Sequence, residues 1–211
     1  MNLGTRKLLD HSFSALGFGS IVIMGLALLV VLTPIVSKGI GALVFQGTIE
    51  HRKILLNEFH RGDAKAIELQ EAETNEYRQK AFAMLAAFDQ ELDQMEWSQQ
   101  SKYRTGYDQV KKSLRHLLGP LPGDDEPALT RFRYGQTRWD KSEEALHELL
   151  YEKKWDYSNP DVIAKPYDVS RAAQFEGTSL VPLFAYVEEN LDKMMLPEWT
   201  FYWGFITDSS I

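Results

Sequence analysis

The residues with chemistry to offer are five histidines, a few acidic clusters and a group of arginines, and their spacing sets what they can do. His11, His51, His60, His116 and His147 form no His-Glu-x-x-His motif and no pair at i, i+4, and the chain has no cysteine. A zinc-type ligand set is therefore not spelled, and the ordinary reading is solvated histidines on helix faces. Arg61-Gly62-Asp63 matches an adhesion tripeptide, which a turn between two helices explains better. Asp124-Asp125-Glu126 stands in a Pro/Gly-rich loop and reads as a solvated acidic stretch. Arg131, Arg133 and Arg138, with Tyr134 and Trp139, make a local basic–aromatic cluster able to hold an anion such as phosphate. Arg–carboxylate pairing is the alternative for it. G-x-x-x-x-G-K-[ST], G-x-S-x-G and a dinucleotide fingerprint are all missing. With no acid–base pair or nucleophile constellation, no catalytic, cofactor-binding or metal residue is expected, and the chain reads as a non-enzyme.

What the spacing does mark is contact with lipid. In LPEWTFYWGFITDSSI, Trp199, Phe201, Tyr202, Trp203 and Phe205 place five aromatics in seven positions. Trp and Tyr concentrate at the membrane–water interface, where the ring is half buried and the polar tip stays wet. The end of a soluble core would also hold such a group.

The elements that position these residues follow from hydropathy and charge. Taken as averages, 211 residues with net charge −7 and 44% apolar content describe an ordinary acidic soluble domain. A pI near 5.3 argues against nucleic acid as a partner. The apolar residues are not evenly spread. The 26 positions from Ser12 to Ser37 hold no charge, and Ile21–Leu32 is almost entirely Ile, Val, Leu, Met and Ala. A hydrocarbon core about 30 Å thick needs roughly 20 such residues, so a transmembrane helix is expected with limits Phe13 and Val36. The run is too long for a signal peptide and no A-x-A cleavage pattern follows it.

Arg6 and Lys7 precede the span, while residues 39–211 carry 20 basic and 29 acidic side chains. The positive end favours a cytoplasmic N-terminus. The expected organisation is a cytoplasmic tail over 1–12, a membrane helix over 13–36, a helical extracytoplasmic domain over 37–198, and an aromatic interface segment over 199–211. That last segment would lead to a second span that is absent.

Beyond Lys38 the periodicity is helical. Ile49, Leu55, Leu56 and Phe59 mark one helix, and Asp63 is placed to cap the next, beginning at Ala64. Phe82, Leu85, Phe88, Leu92 and Met95 share a face, as do Tyr103, Tyr107, Val110, Leu114 and Leu117 before the stop at Gly119-Pro120. A helix from Ser142 carries Ala145, Leu146, Leu149 and Leu150, and a last one spans about Ser179–Met195. Arg131–Tyr134 and Asp161–Tyr167 are weak candidates for extended pieces. The fold class expected is all-α, with an extended helical hairpin formed by the early helices.

Several strings carry a family resemblance: VSKGIGALVFQGTIEHRKILLNEFHRGD (Val36–Asp63), RYGQTRWD (Arg133–Asp140), AAQFEGTSLVPLFAYVEENL (Ala172–Leu191) and LPEWTFYWGFITDSS (Leu196–Ser210). In that order they resemble the PstA-type permease of phosphate ABC transporters, in the long variants that insert an extracytoplasmic domain between the first two membrane helices. The resemblance implies an inner-membrane subunit with residues 37–211 mainly periplasmic. It implies as partners a second permease subunit, cytoplasmic ATPase subunits, a periplasmic phosphate-binding protein and the lipid bilayer. The family's E-A-A-x3-G coupling loop is not found here; Glu71-Ala72 lacks the downstream Gly. The expectation is therefore the N-terminal part of such a permease, from a fragment, a truncated frame or a split gene, and not competent for ion transport alone. The alternative is a complete single-pass protein presenting a helical interaction or sensor module.

Overall fold

The computed structural model describes residues 3–124, 135–157 and 164–202, with residues 3–13 and 38 described by their backbone alone. Two compact units divide the chain, Met1–Phe45 with Thr200–Ile211, and Gln46–Trp199.

In the first unit, helix α1 (Leu3–Leu43) covers the expected Phe13–Val36 stretch and continues through Pro34 to Leu43. Pro34 withdraws one backbone donor but does not end the helix. Strand β1 (Val44–Gly47) follows directly. It pairs with strand β4 (Glu198–Phe201) in a two-stranded ribbon.

The unit Gln46–Trp199 is built on helices. Helix α2 (Ile49–Phe59) ends at His60 in the left-handed region, φ 53°. Helix α3 (Ala64–Gln94) is capped by Asp63 as expected, its carboxylate accepting from the backbone N–H of Lys65 at 3.0 Å and of Ala66 at 3.3 Å. Helix α4 (Trp97–Leu118) folds back on α3 after a two-residue break and stops at Gly119, φ 98°, a conformation that favours glycine. A 3-10 turn (Gly135–Thr137) leads into helix α5 (Trp139–Leu150), which begins three residues before the Ser142 start expected. Helix α6 (Val181–Met195) closes the bundle, with Tyr186 Oη donating to the Tyr77 carbonyl of α3.

The predicted faces meet in one core. Leu85, Phe88 and Leu92 of α3, Tyr107, Val110, Leu114 and Leu117 of α4, Leu149 of α5 and Leu183, Val187 and Leu191 of α6 are all buried together. Phe82, Met95 and Tyr103, expected on the same faces, pack at its edge. Phe175, from a 3-10 turn (Ala172–Phe175), completes an aromatic cluster, edge-on to Phe88 at 5.6 Å between centroids and stacked on Tyr103 at 5.9 Å. Gly106 lies beneath it because a Cβ there would meet Phe175 Cζ at 3.1 Å.

Helix makes up 74% of the structure, with small sheets. An all-α fold is therefore corrected to a mostly helical one. Besides the β1–β4 ribbon, β2 (Tyr151–Asp156) and β3 (Lys165–Ser170) pair antiparallel, from Tyr151 opposite Ser170 to Asp156 opposite Lys165. Their side chains are mostly exposed on both faces. Neither strand therefore carries the apolar alternation that reveals a half-buried strand in sequence. Residues 165–167 of the suggested extended piece do lie in β3, while Arg131–Tyr134 lies outside the described residues.

Candidate membrane interface

The residues from Ser14 to Leu43 make 30 consecutive helical positions, and their most apolar 18-residue stretch has mean hydropathy 2.6 with none of it buried inside the protein. It is long and apolar enough to cross a membrane, and is the one such helix among the described residues. Fifteen large apolar side chains between Leu16 and Ile40 are exposed. At roughly 1.5–3 kcal/mol each, keeping them in water costs on the order of tens of kcal/mol. Three hydroxyls within this stretch are spent internally. Ser20 Oγ donates to Leu16 O at 2.9 Å, Thr33 Oγ1 to Leu29 O at 2.7 Å and Ser37 Oγ to Pro34 O at 3.2 Å. Hydroxyls satisfied within the helix remove one objection to a hydrocarbon environment.

At the end of this helix the chain has a second strand of itself beside it. Tyr202 N donates to Leu43 O at 2.7 Å, continuing the β1–β4 pairing. Trp199 is 75% and Phe201 54% exposed, while Tyr202 is half-buried. Trp203 and Phe205, the other two aromatics of the expected interface group, lie outside the described residues.

Within Gln46–Trp199, Arg52 ties the two ends of the unit together. Its guanidinium donates to Gly47 O at 3.3 Å, to Leu196 O at 2.9 Å and to Gln70 Oε1 at 2.9 Å, and lies 3.5 Å from Glu198. Gln70 Nε2 in turn donates to Glu198 Oε1 at 3.0 Å. One fixed cationic fork thus holds the last residue of β1, just before α2, and the residues after α6.

Behind it the first turn of α2 buries Ile49, as the periodicity expects, together with the polar Glu50 and His51, while Leu55, Leu56 and Phe59 of the same expected face are only half-buried. Glu50 accepts from Arg78 Nη1 at 2.9 Å, and Arg78 Nε donates to Met194 O at 2.9 Å, among the last carbonyls of α6. Lys53 Nζ reaches Glu71 at 2.8 Å and Glu50 at 3.9 Å. Thr48 Oγ1 donates to Gln136 O at 2.5 Å, and Gln136 Nε2 donates to the carbonyls of Arg115 and His116 at the end of α4. His51 is 8% exposed; burial above all, then the nearby Arg52 and Arg138 cations, pull its imidazole pKa down to about 4.

The other residues singled out in the sequence are dispersed. His60 is an exposed cap, His116 Nδ1 lies 3.7 Å from Glu148, and His147 Nε2 lies 3.3 Å from Asp168. Among the described residues no group of three His, Asp or Glu is placed to hold a metal. Arg138 pairs with Asp140 at 3.0 Å, and Asp124 with Arg115. Asp125, Glu126, Arg131, Arg133 and Tyr134 lie outside the described residues. Arg52, Glu50 and Arg78 were not singled out by sequence reasoning. The signal was present only as charges at positions where an amphipathic helix buries apolar groups, and no single window shows that. No family model matches this chain, and comparisons with curated proteins and with solved structures find no match.

Proposed function

We propose that this chain is the first membrane helix and extracytoplasmic insert of the permease subunit of a phosphate-import ABC transporter. The observation that carries the reading is the pairing at the end of α1, where Tyr202 N meets Leu43 O and β4 lies beside β1. A domain inserted between two membrane helices must begin and finish at one place, and this geometry meets that requirement. The ordered string resemblance from Val36 to Ser210 supplies the family.

In this reading α1 crosses the inner membrane with Arg6 and Lys7 on the cytoplasmic side, and 37–211 is mainly periplasmic. Trp199, Phe201 and Tyr202 meet the outer headgroup level. The periplasmic phosphate-binding protein and the second permease subunit are the partners within reach of such an insert. The ATPase subunits engage parts of the family's chain that these strings do not include. A single-pass interaction module, the other reading, gives no reason for the chain to come back to Leu43.

The coding DNA past codon 211 tests the proposal. Further apolar spans and an E-A-A-x3-G loop are expected in the same or an adjacent frame. A stop followed by no apolar span in any frame would count against it.

A further inference from the structure

A cleft of about 610 Å³ opens on the unit Gln46–Trp199, walled by the second half of α4, the end of α5, the start of β2 and Arg171 just after β3. Three cations from three separate parts of the sequence, Lys112, Lys153 and Arg171, line it. This is unexpected in a domain whose acidic residues outnumber its basic ones. Among the described lysines, Lys53, Lys80, Lys111 and Lys141 lie within ion-pair distance of a carboxylate, while Lys65, Lys102, Lys154, Lys165 and Lys193 do not. Lys112 and Lys153 have none within 4.0 Å among the described residues.

Arg171 is held in place rather than neutralised. Its backbone N–H donates to Leu150 O at 2.9 Å, its Nε to the Glu148 main-chain carbonyl at 3.1 Å and its Nη1 to Gln109 Oε1 at 2.7 Å. These bonds fix the plane of the guanidinium and leave Nη2 without a hydrogen bond among the described residues. The two carboxylates on the wall are engaged by neutral or titratable partners. Glu152 Oε2 accepts from Gln174 at 2.6 Å, and Glu148 Oε2 lies 3.7 Å from His116. His147, on the same wall, faces Asp168.

An oriented guanidinium sharing a cleft with two ammonium groups is a receptor for an oxygen-rich anion, because each contact is a charge-assisted hydrogen bond. The requirement for several cations selects more than one negative charge. We propose that this cleft binds a small multiply charged oxyanion of the phosphate or diphosphate class. It lies wholly within Gln46–Trp199, and binding there is independent of the permease assignment.

Calorimetric titration of the full chain in nanodiscs of uncharged lipid, with inorganic phosphate and with pyrophosphate at low salt, tests this. Saturable one-site binding is expected, tighter for pyrophosphate than for phosphate. Lys112→Gln combined with Lys153→Gln should weaken it about tenfold or more, since two charge-assisted contacts are lost. Lys65→Gln with Lys102→Gln, at exposed positions outside the cleft, should leave it unchanged. Absence of saturable binding by the wild-type chain would overturn the proposal. Equal weakening in the two double variants would also overturn it, because the attraction would then be diffuse. Binding of an acidic peptide with no binding of either inorganic anion would reassign the cleft to a protein partner and overturn it too.

Discussion

Acid should loosen the joint around α2, and His51 sets by how much. Its imidazole is buried next to Arg52 and Arg138, and its pKa falls from 6.5 to about 4. Well above pH 6.5 neither the folded nor the unfolded chain protonates it, so its titration leaves stability unchanged there. As the pH falls below 6.5 the unfolded chain takes up a proton that the folded chain refuses until about pH 4. Stability therefore declines through that window. At about 1.4 kcal/mol per pH unit, the loss reaches about 2.5 kcal/mol at pH 4.5. Carboxylates titrate over the same range, so the comparison is with His51→Asn, which keeps a polar side chain and cannot be protonated. Urea unfolding of the full chain in detergent at pH 7.5 and pH 4.5, followed by helical circular dichroism, gives the stability of each form. The wild-type chain should lose about 2.5 kcal/mol more than the variant. An equal loss in both, or a larger one in His51→Asn, would refute the account of a neutral, desolvated imidazole at this joint.

Two further predictions concern the same part of the fold. Arg78→Leu removes from the buried Glu50 carboxylate its 2.9 Å guanidinium partner, leaving Lys53 at 3.9 Å, and should destabilise by about 3 kcal/mol in chemical denaturation. Adding Glu50→Gln should recover a substantial part, because it removes the buried charge that has lost its nearest cation. His60→Gly, at an exposed cap with φ 53°, should raise stability by about 1 kcal/mol, seen as a higher denaturation midpoint at unchanged slope.

How much of this was legible in the sequence depended on window length. The apolar run of α1 and the faces of α3, α4 and α6 are local patterns of apolar residues, and the positions of those three faces from Leu85 to Leu191 meet in one core. Asp63 and Gly119 were legible as punctuation because capping chemistry involves only a few residues. The β2–β3 hairpin was not, since a strand exposed on both faces has no apolar period to detect. Nor was the joint around α2. Its contacts link Arg52 to Leu196 and Arg78 to Glu50 and Met194, across up to 144 positions. The charge pattern of α2 alone reads as solvated. The cleft holding Arg171 escaped notice for the same reason, since its cations come from α4, β2 and the end of β3.

Membrane crossing by α1 with a cytoplasmic N-terminus is the claim on which the rest stands, and the absence of cysteine makes it directly measurable. Single cysteines at Thr5→Cys and Lys102→Cys, exposed in turn to a membrane-impermeant maleimide in right-side-out and inverted vesicles, report the two sides. Lys102→Cys should react in right-side-out vesicles and Thr5→Cys in inverted ones. Labelling of both from one side would contradict a crossing by α1, and the reverse pattern would contradict its orientation and the periplasmic partners built on it.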